Sequence, residues 1–240
     1  MFNNSKYGNM LTIILVISII AIIGIVGIIG YRMYNAYYID KGATQAATQF
    51  EQLLQNNISN NNIISSENVI QNEINTNKVD ISGIDQNSNG NNGNSGSTGN
   101  TSKPTTTTYK GYNVVGTIEI PAIKLKYPIL EKLTAKSLKT SVVLMYTAQG
   151  LNNQGNSVII GHNYRNGTMF SNVDKLTNRD YIYITDTEGR RVKYKIYNIF
   201  RASGSESEYI TRNTNGKREI SISTCTDDSK ARTIVLAREE

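Results

Sequence analysis

Residues 220–238 read ISISTCTDDSKARTIVLAR and contain Cys225, the only cysteine among 240 residues. A β-rich run (Ile220, Ile222, Thr224) leads into the cysteine. A polar loop from Thr226 to Ala231 follows, and a second β-rich run starts at Arg232 and passes through Ile234, Val235 and Leu236. Two such runs about a polar loop read as antiparallel neighbours. If the hairpin closes symmetrically, Cys225 and Arg232 face each other at its mouth. A cationic neighbour favours the thiolate of a cysteine, whose free pKa is about 8.5. The plainer reading is that a lone cysteine is a small buried hydrophobe.

The only histidine, His162, lies in SVIIGHNYRNGTMF, residues 157–170, just past the apolar run Val158 to Ile160. A buried strand would emerge there at a rim. One cysteine and one histidine, each at a strand end, are the minimum set for thiol-based acyl transfer. A structural or surface histidine is the alternative.

The run Ser223-Thr224-Cys225-Thr226, with Arg232 seven positions after the cysteine, resembles the signature of the sortases, the cell-surface transpeptidases of Gram-positive bacteria. Gly161-His162-Asn163, followed by Gly167-Thr168-Met169-Phe170, resembles the histidine motif of that family, most closely its class B form. Gly116-Thr117-Ile118-Glu119-Ile120-Pro121, with Tyr127-Pro128-Ile129 after it, is similar to the family's first two strands. The resemblance covers about the last 130 residues in the family's order. It implies a closed eight-stranded barrel, catalytic roles for His162, Cys225 and Arg232, and substrate contacts for Asn163 and Thr224. It implies no cofactor and no metal.

Outward from that region, Leu11 to Ile29 is apolar and uncharged. Spanning a bilayer takes roughly 20 such residues. No polar stripe gives this run a solvent face, as a core helix would need. No small-residue cleavage pattern follows it. Tyr31, Tyr34, Tyr37 and Tyr38 suit an interfacial belt, so residues 11–31 read as an uncleaved anchor after a tail, 1–10. Lys6 on one side and Arg32 with Lys41 on the other leave the orientation undecided by charge; the family resemblance places the C-terminal bulk outside. Residues 32–84 read as a partly helical stalk, since Ala43, Ala46, Ala47, Phe50, Leu53, Leu54 and Ile58 recur at helical spacing. Such a face would be covered by a second copy or by the membrane. Residues 85–108 are almost wholly Asn, Gly, Ser and Thr and read as a flexible tether that buries nothing.

Residues 109–240 form the expected catalytic domain. Strands are expected over Val114–Ile120, Tyr127–Leu130, Val142–Tyr146, Ser157–Ile160, Tyr181–Asp186, Arg191–Phe200, Tyr209–Arg212 and Lys217–Thr224, before the run from Arg232. A short helix capped by Thr134 is expected at Thr134–Lys139. Helical turns are expected at Thr168–Leu176, with Met169, Phe170, Val173 and Leu176 in the core. Many short strands with brief helical insertions indicate a barrel or sandwich, an all-β class.

The segment from Tyr109 on carries 20 basic against 13 acidic residues. Such a balance draws a domain to anionic surfaces; a nucleic-acid partner does not fit an anchored exported head. A single cysteine excludes an internal disulfide and zinc-finger spacing. No glycine-rich phosphate loop appears. The sequence departs from class B in having only the short segment Ser203–Asn215 before the cysteine strand. It departs from the calcium-binding class A members in lacking a carboxylate between Thr147 and Asn156, so calcium dependence is not expected.

The implied chemistry is cleavage of an LPXTG-like C-terminal sorting signal of a secreted protein, followed by transfer of the acyl group through a thioester to a peptidoglycan-precursor amine. Two other readings stand beside it. One is a non-catalytic, membrane-tethered wall-binding β-domain. The other is a different cysteine enzyme, such as an L,D-transpeptidase, which would need glycine before the cysteine and arginine two after. Here those positions hold Thr224 and Asp227.

Overall fold

The computed structural model describes residues 4–64, 78–80 and 106–240. In chain order the elements are α1 (Asn4–Ile64), β1 (Lys78–Asp80), β2 (Thr106–Tyr109), β3 (Tyr112–Ile120), β4 (Leu125–Leu130), α2 (Ala135–Thr140), β5 (Val142–Thr147), β6 (Gly155–Ile160), β7 (Tyr181–Asp186), β8 (Arg191–Ser203), β9 (Arg218–Cys225) and β10 (Ala231–Glu239). Short 3-10 turns lie at Pro121–Ile123 and Val173–Lys175.

Strands β3 to β10 hydrogen-bond in the order β3-β4-β5-β6-β9-β10-β8-β7, and β7 pairs back onto β3. That last pairing closes an eight-stranded barrel and leaves no open edge among these strands. The β4–β5 and β6–β9 pairs are parallel and the others antiparallel. Closure requires Gly116: a Cβ there would stand 2.5 Å from the Thr185 carbonyl oxygen and 3.0 Å from Leu151. The β3–β4 register also slips beside this glycine, between Val114 and Gly116.

Strand alternation sorts the side chains. Ile118, Ile184, Ile222 and Val235 are fully buried in one apolar cluster. Burying each such side chain contributes about 1.5–3 kcal/mol. On the neighbouring positions Val158, Ile160, Ile234 and Leu236 join a second cluster that includes Tyr209. β9 is therefore buried on both faces, with only its two end residues partly exposed.

Thr134 caps α2 as expected, in a reciprocal capping box with Ser137. Met169, Phe170, Val173 and Leu176 are core residues, although only Val173–Lys175 is helical there. The expected strand at Tyr209–Arg212 is instead a turn. Its carbonyls at 209 and 210 accept from Asn156 Nδ2 at 2.9 and 2.8 Å, and Arg212 pairs with buried Glu219. The Asn156 side chain satisfies these two carbonyls in place of a ladder.

The N-terminal region departs furthest from expectation. The chain divides into two compact units, Met1–Ile39 and Asp40–Glu240. In the first, α1 is apolar enough to cross a membrane, and Leu11 to Ile29 is uncovered, with Leu11 at 70% exposure. In the second, the remainder of α1 packs on the barrel instead of standing as a stalk. Ala43, Ala46, Ala47 and Phe50 follow i, i+3, i+4, i+7 spacing and are at most 1% exposed. The barrel covers the face expected to meet a second copy or a membrane.

Polar contacts fix this docking. The Glu51 carboxylate accepts from Thr117 Oγ1 and Lys126 Nζ, each at 2.7 Å. Burial works to raise the Glu51 pKa, but the Lys126 and Thr117 hydrogen bonds and the charges of Lys126 and Arg191 outweigh it and hold it low. Most of the expected tether, residues 85–105, lies outside the described residues. Its last three residues, 106–108, belong to β2, which pairs with β1 and with the start of β3.

Candidate active site

Cys225 ends β9, and its register partner across β9–β10 is Arg232. The hairpin closes symmetrically, as its sequence implied. The intervening loop is closed by its own hydrogen bonds: Thr226 N–H donates to the Ala231 carbonyl at 2.9 Å, and Ala231 N–H donates to Thr226 Oγ1 at 3.1 Å. This holds both strand ends together without help from a ligand.

The parallel β6–β9 register pairs Ile160 with Ser223. It continues past the strand end, where Gly161 N–H donates to the Ser223 carbonyl at 3.3 Å and Thr224 Oγ1 donates to the Gly161 carbonyl at 2.9 Å. His162 follows Gly161 directly, as Cys225 follows Thr224. Alternation then assigns the faces. Cys225 shares a face with Ser221 and Ser223, and Arg232 with Ile234 and Leu236. Cys225 and Arg232 thus pair across the hairpin, and His162, two residues past the end of β6, lies at the same end of the barrel. Thr224 and Thr233, partners on the opposite face, line a small cavity of about 50 Å³ with Asn163 and Phe170.

Asn163 binds the two loops together. Its Nδ2 donates to the Cys225 carbonyl at 3.1 Å and to Asp227 Oδ1 at 2.8 Å, and its Oδ1 accepts from Arg165 N–H at 3.0 Å. Arg165 adds a bond to Ser229 Oγ at 3.1 Å. Asn163 and Thr224, expected as substrate contacts, both have their polar atoms in these internal bonds.

Cys225 is a free thiol, partly exposed. His162 is also partly exposed, and its ring lies 4.9 Å from that of Tyr164. Burial, and then the positive charge of Lys139 from the last turn of α2, hold its pKa below the ordinary 6.5. The Arg232 guanidinium has no hydrogen-bond or ion-pair partner among the described residues. Its fork of donors is therefore free to bind a carbonyl or an oxyanion. Nor do the described residues hold a group of three or more potential metal ligands.

A family model described as the Sortase domain matches residues 118–240. The chain belongs to the sortase family. Its cysteine strand, histidine loop and arginine all fall within the matched segment. A curated relative, Sortase A of Bacillus anthracis, is 31% identical over 121 residues; this sortase spans 56% of that relative's length, and the match takes in 49% of the present chain. Among solved structures, a Clostridium perfringens Sortase D5 transpeptidase is 30% identical, with 53% of this chain and 79% of that one covered and a TM-score of 0.48. A lid mutant of Sortase A from Corynebacterium diphtheriae is 27% identical, with 53% and 70% covered and a TM-score of 0.48.

Several contributors to the site carried no sequence signal. Lys139 stands 23 positions before His162 in an ordinary amphipathic turn. Tyr127 was legible only as part of a strand motif, and nothing in the sequence joins it to Asp40, whose Oδ1 accepts from the Tyr127 hydroxyl at 2.9 Å. Tyr164 had one available cue, its place two residues beyond His162.

Proposed function

We propose that this sortase is a membrane-anchored cysteine transpeptidase. It would cleave an LPXTG-like sorting signal near the C-terminus of a secreted protein and join that protein to an amine of the cell wall. The observation that supports this reading is that Arg232 is the register partner of Cys225 and that β6, which His162 follows by two residues, runs parallel beside the cysteine strand.

In the proposed reaction the Cys225 thiolate attacks the scissile carbonyl, forming a C–S bond. The resulting oxyanion is held by the Arg232 fork. His162, as imidazolium, gives its proton to the departing amine as the C–N bond breaks, which leaves a thioester. An incoming amine then attacks the thioester and passes its proton to neutral His162, and Cys225 leaves as thiolate. Asn163 and Thr224 serve this cycle by holding the histidine loop against the cysteine strand, since their polar atoms are already engaged there.

The uncovered apolar run Leu11–Ile29 supports a single-pass anchor, and membership of the sortase family supports a catalytic unit on the extracellular side. The partners on this reading are secreted proteins with sorting signals and a peptidoglycan-precursor amine, with no nucleic acid. The test is to incubate the detergent-solubilised chain with a library of sorting-signal peptides and an amine, and to search by mass spectrometry for an acyl adduct on Cys225. An adduct that resolves to an amide on adding amine supports transpeptidation. Absence of any adduct across the library, or amide formation by Cys225→Ala, would sink it.

A further inference from the structure

The loop that carries His162 is folded back on itself. Asn163 bridges Met169, and Phe170 N–H donates to the His162 carbonyl at 3.1 Å. The Phe170 ring lies against Gly161, where a Cβ would come within 2.7 Å of it. The position of His162 therefore depends on the returning segment, 169–170. Met169 is 2% exposed and has a φ of +49°, a conformation that a non-glycine residue adopts only when its surroundings impose it. Its buried N–H donates to the Tyr127 hydroxyl at 3.1 Å.

Tyr127 is itself 1% exposed, and burial raises the pKa of its phenol, so it stays protonated. A phenol has one hydrogen and accepts through its lone pairs. Asp40 Oδ1 takes that hydrogen at 2.9 Å, which turns the lone pairs toward Met169. Asp40 opens the barrel-bound part of α1, and Thr44, one turn on, donates to the Lys126 carbonyl at 3.3 Å beside Tyr127.

We propose that Tyr127 is a positioning residue for His162 and that Asp40 of α1 sets its orientation, so that the docked helix is a working part of the catalytic unit. The relay runs Asp40 carboxylate, Tyr127 hydroxyl, Met169 N–H, then the Asn163–Met169 bridge and the Phe170–His162 hydrogen bond. The inference rests on the role of His162 proposed above, but the relay itself is a matter of loop position and is testable apart from turnover.

Because His162 is the only histidine, a histidine-labelled full chain in detergent gives one imidazole resonance to titrate by NMR. Lys139 and Tyr164 beside it, and Cys225 and Arg232 at the same end of the barrel, are the charged and titratable groups of its surroundings, and they stay unchanged in the variants. Tyr127→Phe removes the hydroxyl and keeps the ring. The expected result is a His162 midpoint moved up toward 6.5 as the loop loosens and hydrates, with a smaller move in Asp40→Ala. The double variant should go no further than Tyr127→Phe alone, because both act through one hydroxyl. With a sorting-signal peptide as probe, kcat should fall about tenfold to a hundredfold at unchanged KM, the scale of a misplaced catalytic group. A folded Tyr127→Phe with an unmoved His162 titration overturns the proposal; if Tyr127→Phe does not fold, an unmoved titration in Asp40→Ala overturns it equally. A moved titration in a chain whose wild type ignores every peptide upholds the relay while the transpeptidase reading fails.

Discussion

Cys225 and Arg232 are register partners across the β9–β10 hairpin, with a self-bonded loop of fixed length between them. Their separation is thus set by backbone hydrogen bonds and does not wait on substrate. His162 lies in the loop after β6, whose parallel pairing with β9 brings that loop to the same end of the barrel. Two ladders meeting on β9 therefore bring to one end of the barrel the candidate residues His162 and Cys225, 63 positions apart in sequence.

Replacing Cys225 by alanine should abolish acyl transfer and leave the barrel intact. The thiol is partly exposed at a strand end, so its loss should change stability by less than about 1 kcal/mol. Mass spectrometry for the adduct and a thermal melt check both halves. Residual ligation near the wild-type rate would end the thiol mechanism.

His162→Ala should lower turnover by at least about two orders of magnitude, the usual range for general acid catalysis. Lys139→Ala should act in the other direction on the proton. Removing a neighbouring cation favours the imidazolium, so the His162 midpoint should rise toward 6.5, with part of the depression left because burial is its larger cause. For stability the sign is fixed by the same depression. The folded chain takes up this proton less readily than the unfolded one, so the His162 contribution is complete above about 6.5 and is lost as pH falls through the folded midpoint. An NMR titration that placed His162 above 6.5 would contradict this account.

The hairpin, the histidine loop and most strands were legible because each is written locally. Alternation in Arg191–Phe200, the Thr134 cap and the symmetric run about Cys225 need no knowledge of distant residues. Alternation does not report what covers a face. The apolar stripe of Ala43, Ala46, Ala47 and Phe50 was visible, but a helix sequence cannot say whether a barrel, a membrane or a second copy will meet it. Tyr209–Arg212 shows the converse. Its composition suits a strand, and the Asn156 side chain, itself held by Arg212, satisfies its carbonyls at 209 and 210 as a turn.

Because the barrel buries that stripe, cutting the chain before Tyr109 should expose apolar surface and destabilise what remains. Cutting before Asp40 should not. The first truncation is expected to aggregate or melt well below the second. Within the full chain Phe50→Ala should cost about 3–5 kcal/mol, as for a fully buried aromatic. Equal melting temperatures for chains starting at Asp40 and at Tyr109 would show that α1 contributes nothing to the barrel.

Acid should loosen the same contact. The Glu51 carboxyl is held below its ordinary 4.5, so its contribution is complete above that pH and is lost as pH falls through the depressed value. Glu51→Gln should remove this part of the pH dependence and lower stability near neutrality, since Lys126 then faces a neutral amide. Melts from pH 3 to pH 7 of both chains measure it. Parallel pH curves would assign the acid sensitivity to other groups.

Arg232→Lys should be nearly as damaging to turnover as Arg232→Ala. If Arg232 served only as a positive charge near the thiol, a lysine at the same register position would largely replace it. An oxyanion or carbonyl held by two parallel N–H groups needs a rigid planar fork, which an ammonium does not offer. The guanidinium has no protein partner among the described residues, so no internal bond competes with such a role. Losing one well-aimed oxyanion donor costs about 3–4 kcal/mol, or two to three orders of magnitude in rate. Single-turnover rates of thioester formation in the two variants separate the roles, because the oxyanion develops in that step. Comparable losses in both support the fork. Near wild-type acylation by Arg232→Lys, with a large loss only in Arg232→Ala, would reduce Arg232 to its charge.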